Sequence, residues 1–181
     1  MKTEQVNKEL NSFGKYVIQQ SRTNLTKGGK LGTYNYTKGL YDSLKYVLEK
    51  ENDGYIINFF MEDYGTFQDR GVKGVKSNYI ENKNTPFSYK QSSNLKGFEY
   101  KTRTFAKWAK YRGMQPRDKK GRFGTYETMG FILANSIKNK GIKATMFFSK
   151  PFNAAFERLP NELMDAFILD VENSIVLLEN K

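Results

Sequence analysis

The stretch Ser43-Leu-Lys-Tyr-Val-Leu-Glu-Lys50-Glu-Asn-Asp-Gly54-Tyr-Ile-Ile-Asn-Phe-Phe-Met-Glu62 decides the fold class. Two short runs, 43–50 and 55–62, alternate apolar and polar residues, and Glu51-Asn52-Asp53-Gly54 lies between them. Asp-Gly between two such runs is a strong hairpin signal. Successive strand side chains point to opposite faces, so Tyr55, Ile57, Phe59 and Met61 share one face and Ile56, Asn58, Phe60 and Glu62 the other.

Outward from this hairpin the periodicity becomes helical. Val6, Leu10, Phe13 and Val17 recur at steps of four, three and four, with Ile18 and Leu25 beside them. This spacing predicts a helix over 3–26, with Thr3 as its N-cap and Gly28-Gly29 as its stop. A linker follows to about Tyr36. Residues 98–112 read as a helix with Phe105, Trp108 and Tyr111 or Ala109 on one side, the first two in the core. Residues 125–140 read as another, capped by Thr125, with Met129, Ile132, Leu133, Ser136 and Ile137 buried and Lys140-Gly141 at its end. An extended segment over 141–148 and a helical turn or two over 151–158 come next. A closing helix starts at Pro160 and runs to Leu178, with Leu163, Phe167, Val171, Ser174 or Ile175, and Leu178 facing inward. The expected fold is therefore α+β: a mainly antiparallel sheet packed with long helices, with extended basic loops or arms. The expected organisation is a single domain over 1–181, with an N-terminal helix at 3–26, a body at 37–181 and a basic insertion at about 70–97.

Composition removes whole classes of chemistry. The 181 residues include neither Cys nor His, so disulfides, thiolate nucleophiles, Ser–His and Cys–His pairs and His-ligated zinc are excluded. Asp63, Asp69, Glu62 and Glu81 lack the Asp-x-Asp spacing of a hard-cation site. The glycines at 28–32, 71–74 and 121–124 lack the strand–loop–helix setting and the Gly-Lys-Ser/Thr of a phosphate cradle. No apolar run reaches bilayer length, and Met-Lys-Thr-Glu-Gln at the start is not an export leader.

The net charge of +11 is concentrated. Residues 64–124 contain 15 Lys/Arg and 4 Asp/Glu, whereas the rest contains 15 of each sign. Such a surplus points to nucleic acid or an acidic protein surface, or simply to a solvated loop. Aromatics interleave with these cations from Tyr79 to Phe123, a pattern that suits both base stacking and protein hot spots. Candidate interface residues are Arg70, Lys73, Lys76, Tyr79, Tyr89, Arg117, Lys119, Lys120, Arg122 and Phe123. The stretch Tyr64-Gly65-Thr66-Phe67-Gln68-Asp69-Arg70-Gly71-Val72-Lys73-Gly74 reads as a structural corner built on Tyr64, Gly65, Asp69 and Gly71. Gly65 and Gly71 are expected in backbone conformations costly to other residues, and Asp69 is expected to accept from turn amides.

Four landmarks in fixed order carry a resemblance. They are Thr37-Lys38-Gly39-Leu40-Tyr41-Asp42-Ser43-Leu44, the corner Asp63–Gly71, the helix end Phe105-Ala106-Lys107-Trp108-Ala109-Lys110-Tyr111-Arg112-Gly113-Met114, and Phe131-Ile132-Leu133-Ala134-Asn135-Ser136-Ile137-Lys138-Asn139-Lys140-Gly141-Ile142. Over roughly 37–176 this order resembles the neck and tail-completion proteins of tailed bacteriophages, apart from the Tyr/Asn/Lys-rich insertion at 75–97. The resemblance implies a structural virion protein, made in the bacterial cytoplasm, forming a ring between portal and tail. It implies contacts with its own copies and with adjacent portal, connector or tail proteins, with DNA in the lumen as a further contact, and no membrane, metal, cofactor or catalytic residue. A basic nucleic-acid-binding protein using 64–124 is the alternative reading.

Overall fold

A computed structural model describes residues 3–27, 38–76, 78–89 and 98–179. The Gly28-Gly29 stop, the linker, Thr37 and residues 90–97 lie outside that description. In chain order the elements are α1 (Glu4–Lys27), α2 (Gly39–Ser43), β1 (Lys45–Glu51), β2 (Gly54–Phe60), α3 (Tyr64–Arg70), β3 (Val72–Lys73), a 3-10 turn (Ile80–Asn82), α4 (Phe98–Tyr111), α5 (Tyr126–Lys140), β4 (Gly141–Ile142), α6 (Ser149–Phe156) and α7 (Leu159–Glu179). The fold is α+β, with two small antiparallel sheets, β1–β2 and β3–β4. The chain divides into two compact units, Met1–Asp69 with Met146–Lys181, and Arg70–Thr145. The basic insertion expected at about 70–97 lies within the second of these units. The inserted unit runs on to residue 145, because β3 closes against β4 through strands too short to show a period.

The first unit is built on the hairpin. Its register pairs Tyr46 with Phe59, Leu48 with Ile57 and Lys50 with Tyr55, and the two-residue loop is Asn52-Asp53 with Gly54 already opposite Glu51. Leu10, Phe13 and Val17 of α1 meet Ala155 of α6 and Leu159 of α7, with Leu48, Tyr55, Ile57 and Phe59 packed around them. A second cluster joins Ile18 and Leu25 to Leu40, Leu44 and Phe147. Phe59 sits edge-on to Phe13 (6.1 Å), Phe148 (5.5 Å) and Phe152 (5.8 Å). Pairs in this geometry contribute about 0.5–1.5 kcal/mol beyond their area. The buried centre itself is mainly Leu, Val, Ile and Ala, and the half-buried rings of Tyr55, Phe59, Phe148 and Phe152 close around it. Arg22 of α1 fixes the approach to β1 by donating to the carbonyls of Tyr41 (3.1 Å) and Leu44 (2.9 Å).

Two buried carboxylates cap helices that are remote in sequence. Asp170 of α7, 3% exposed, accepts from the Gln5 and Val6 amides at the start of α1. Asp69 of α3, also 3% exposed, accepts from the Phe148 amide (2.8 Å), the Ser149 amide (3.1 Å) and the Ser149 hydroxyl at the start of α6. The Asp69 carbonyl accepts from the Met146 amide (2.9 Å). Met146 is left-handed at φ 50°, a conformation that costs a non-glycine residue about 1–3 kcal/mol and is retained only where its surroundings dictate it. The next residue, Phe147, is thereby delivered to the core, 1% exposed. Asp69 does accept from backbone amides, but they belong to α6 rather than to its own turn.

The corner itself is helical. Residues 64–70 form α3, and Gly65 lies within it without a positive φ. The expectation for Gly65 is corrected: its constraint is space, since a Cβ there would fall 2.7 Å from Leu40 Cδ1 and 2.8 Å from Met61 Sδ. Gly71 is left-handed at φ 73°, and a Cβ there would fall 2.3 Å from Asn82 Oδ1 and 2.7 Å from two backbone atoms.

In the second unit β3 pairs with β4 through Val72–Ile142 and Lys73–Gly141. Fully buried Asn82 joins them: its amide donates to the carbonyls of Val72 (2.9 Å) and Ile142 (2.7 Å), and its Oδ1 accepts from the Ala144 amide (2.8 Å). The Thr85 hydroxyl donates to the Gly71 carbonyl (2.8 Å), and Lys73 exchanges backbone bonds with Phe87 and Tyr89. Residues 78–89 are thus stitched to the small sheet and are not a free arm. The helices α4 and α5 pack on each other. Thr125 caps α5 by accepting from the Thr128 amide. The expected stripe of α5 is rotated: Gly130 and Ala134 are buried and Ile132 is 45% exposed. On α7 the inner residues are Leu159, Ala166 and Asp170, and Phe167 is 51% exposed rather than inward. Trp108 is also corrected from core to surface at 36% exposure, while its neighbour Ala109 is buried.

Two stability outcomes follow from this construction. Asp69→Ala leaves the α6 amides without acceptors in a buried setting and is expected to lower unfolding free energy by about 2–3 kcal/mol; denaturant titration of the purified chain measures it, and a loss below about 0.5 kcal/mol would contradict the capping role. Gly71→Ala combines strain with backbone overlap and is expected to cost more than about 2 kcal/mol. Gly121→Ala, at φ 80° with no atom within 4 Å of the added Cβ, carries strain alone and should cost about 1 kcal/mol. Equal losses would refute the role given to the Asn82 contact.

Candidate functional site

The densest cationic element of the second unit is the segment Pro116–Gly124. It is a narrow antiparallel turn in which Arg117 bridges to Phe123. The Gly124 amide donates to the Pro116 carbonyl (2.8 Å), and the Asp118 amide donates to the Arg122 carbonyl (3.0 Å). Asp118 organises the apex. Its Oδ1 accepts from the Lys120 and Arg122 amides, both at 2.9 Å, and its Oδ2 pairs with Arg122 Nε at 2.8 Å. Gly121, left-handed, completes the turn by donating to the Asp118 carbonyl.

This arrangement consumes one cation and presents the others. Arg122 is held by Asp118, while Lys119 and Lys120 are exposed at the apex. The Arg117 guanidinium lies 4.2 Å from the centre of the Phe123 ring, which is itself 62% exposed. A guanidinium on an exposed ring contributes about 0.5–1 kcal/mol. The tip therefore offers charge and aromatic surface in a fixed shape, with less side-chain entropy lost on docking.

On α4 the residues Arg103, Lys107 and Lys110 are exposed at steps of four and three, together with Tyr111 at 71%. The Arg112 guanidinium lies 5.6 Å from the Trp108 ring. Of the other sequence candidates, Arg70 at the end of α3 and Lys76 are exposed, whereas Lys73 in β3, Tyr79 and Tyr89 are half-buried. Burial pushes the Tyr89 hydroxyl above the usual tyrosine pKa. All ten interface candidates belong to Arg70–Thr145, while Tyr64, Gly65 and Asp69 belong to the first unit. Near the tip of the 3-10 turn Ile80 is 91% exposed, and Lys143 bonds Glu81 at 2.6 Å, holding that carboxyl below its usual range. Ile80 was missed in the sequence because it stands alone among polar residues.

The first unit carries an open hollow of about 340 Å³ beside Asp42, Lys45, Glu62 and Asp63. The Ser43 hydroxyl in its wall donates to the Leu40 carbonyl and accepts from the Glu62 amide, a local structural role. Among the described residues no three Asp or Glu converge as a metal ligand set, and no helix is long and apolar enough to cross a membrane.

Asp118 supplies a pH test of the tip. The Arg122 side chain first, then the Arg122 and Lys120 amides, hold its carboxyl below the ordinary value of 3.8. A depressed folded-state pKa means that the stabilisation is complete above 3.8 and is lost as pH falls through the lower folded value. The Lys120 and Arg122 amide signals in NMR spectra should titrate together with a midpoint below 3.8. A midpoint at or above it would mean that the apex is not held by Asp118. Comparison of the chain with protein-family models, curated proteins and solved structures finds no match.

Proposed function

We propose that this chain is a non-catalytic assembly subunit of a tailed-bacteriophage virion. In this reading it is a neck or tail-completion protein, made in the bacterial cytoplasm, that forms a ring between portal and tail. It docks on its own copies and on adjacent portal, connector or tail proteins through the basic surface of Arg70–Thr145. The observation that carries the reading is the preorganised tip at 116–124. Its only carboxylate is spent on its own backbone and Arg122, so the remaining cations point outward beside an aromatic anchor. Interfaces draw their strongest contacts from aromatic and Arg residues held in this way. The order of the four sequence landmarks supports placing the subunit at the neck.

One observation favours a second reading. An exposed Arg–Phe stack is also what single-stranded nucleic acid uses for base stacking and phosphate contact. The two readings separate experimentally. Arg122 serves the turn, so the informative variant is Lys119→Glu with Lys120→Glu. In phage carrying it, head–tail joining should fall at least about tenfold, as expected for like charges introduced at a docking contact. Circular dichroism of the isolated variant should match the parent. Normal particle yields would overturn the proposal. Free-DNA binding by the isolated parent whose log affinity falls by about 0.9 per decade of salt for each phosphate contacted would favour the nucleic-acid reading instead.

A further inference from the structure

The helix α7 is apolar on both sides. Leu159, Ala166 and Asp170 face the first unit's core, yet Met164, Phe167, Ile168 and Leu169 are 64%, 51%, 49% and 49% exposed. At 100° per residue Ile168 lies opposite the buried row, with Asn161, Met164, Asp165 and Glu172 along the same crest and Phe167 and Leu169 on its flanks. A helix that is hydrophobic all round is normally covered, and an exposed apolar row of this kind marks an interaction surface.

Charge identifies what covers it. The helix has five Asp/Glu and no Lys or Arg; one of the five, Asp170, is committed to α1, while Asp165 and Glu172 are exposed on the apolar crest. The unit Arg70–Thr145 holds 18 Lys/Arg against 4 Asp/Glu, and the remainder of the chain holds 12 against 15. A single chain thus carries an acidic, apolar helix crest and a basic, aromatic tip. We propose that the outer crest of α7 is the docking site for the 116–124 tip of a second copy of this chain. Lys119 and Lys120 would meet Asp165 and Glu172, and the Phe123 ring would meet Ile168 and its neighbours. The contact is heterologous: each copy offers its tip to one neighbour and its crest to another, the arrangement that produces rings when the rotation closes. This inference rests on the assembly reading and names the partner for the basic tip.

Complementary charge reversal tests it. One variant carries Lys119→Glu and Lys120→Glu; the other carries Asp165→Lys and Glu172→Lys. All four side chains are exposed, and circular dichroism verifies folding. In sedimentation velocity the parent should self-associate, more weakly as salt rises. Each variant alone should associate at least about a hundredfold more weakly. An equimolar mixture should recover association, because each variant retains one native face and its altered face now complements the other's. A parent that stays monomeric at all attainable concentrations, or a crest variant that associates like the parent, would overturn the proposal. Loss caused only by the crest variant, with no rescue on mixing, would overturn it in favour of a symmetric α7–α7 pair. If the crest variant assembles normally while the tip variant still blocks head–tail joining in phage, this inference fails and the assembly reading stands.

Discussion

Asp69 sits where the polypeptide leaves the first unit, and its acceptors are all used by residues at the point of return. A buried carboxylate is costly unless its oxygens are hydrogen-bonded. Here two amides and a hydroxyl satisfy it, and its own carbonyl takes the Met146 amide. One residue thus starts α6 with its side chain and, with its own carbonyl, holds the left-handed Met146 that turns Phe147 into the core. The aromatic cluster around Phe59 depends on that turn, because Phe148 and Phe152 reach it only when α6 begins at Ser149. Closing a long excursion at its base also spares the sheet and α1 from any dependence on how residues 70–145 vary in length.

The cations and carboxylates are segregated by unit. In the basic unit the scarce carboxylates are placed to organise local structure, with Asp118 holding a turn and Glu81 bonded to Lys143. In the acidic helix α7, Asp170 works in the same manner on α1. The unspent charges of each sign are left on exposed surface beside apolar side chains, Lys119 and Lys120 near Phe123 and Asp165 and Glu172 near Ile168.

The hairpin, α1 and α5 with its Thr125 cap were legible because alternation and the helical stripe are local signals, whereas the amides at the start of α1 are capped by Asp170 and not by Thr3, whose hydroxyl bonds that of Tyr55. Even so, the hairpin loop came out as Asn52-Asp53, since matching Tyr46 and Leu48 to Phe59 and Ile57 settles the register over the turn preference. The rotation of α7 was not legible. A helix with Leu163, Met164, Phe167, Ile168 and Leu169 has no single apolar face, and the residue that fixes its rotation is Asp170, which in sequence reads as a solvent residue. Asn82 escaped for the same reason: a buried amide satisfied by Val72, Ile142 and Ala144 looks like loop composition. The basic residues of the tip were found from charge alone, but the turn that Asp118 builds from them was not.

The coupling of Asp170 to Gln5 and Val6 fixes an order of events during synthesis. The helix α1 has its capping carboxylate 164 and 165 positions downstream of the amides it serves, and part of its core, Ala155 and Leu159, also comes from the far end of the unit. Contacts of such high sequence separation form late. The contiguous stretch Arg70–Thr145 emerges whole well before α7 and has its own sheet and helix pair. It is positioned to fold first, while α1 and the hairpin wait with apolar faces open until α6 and α7 arrive.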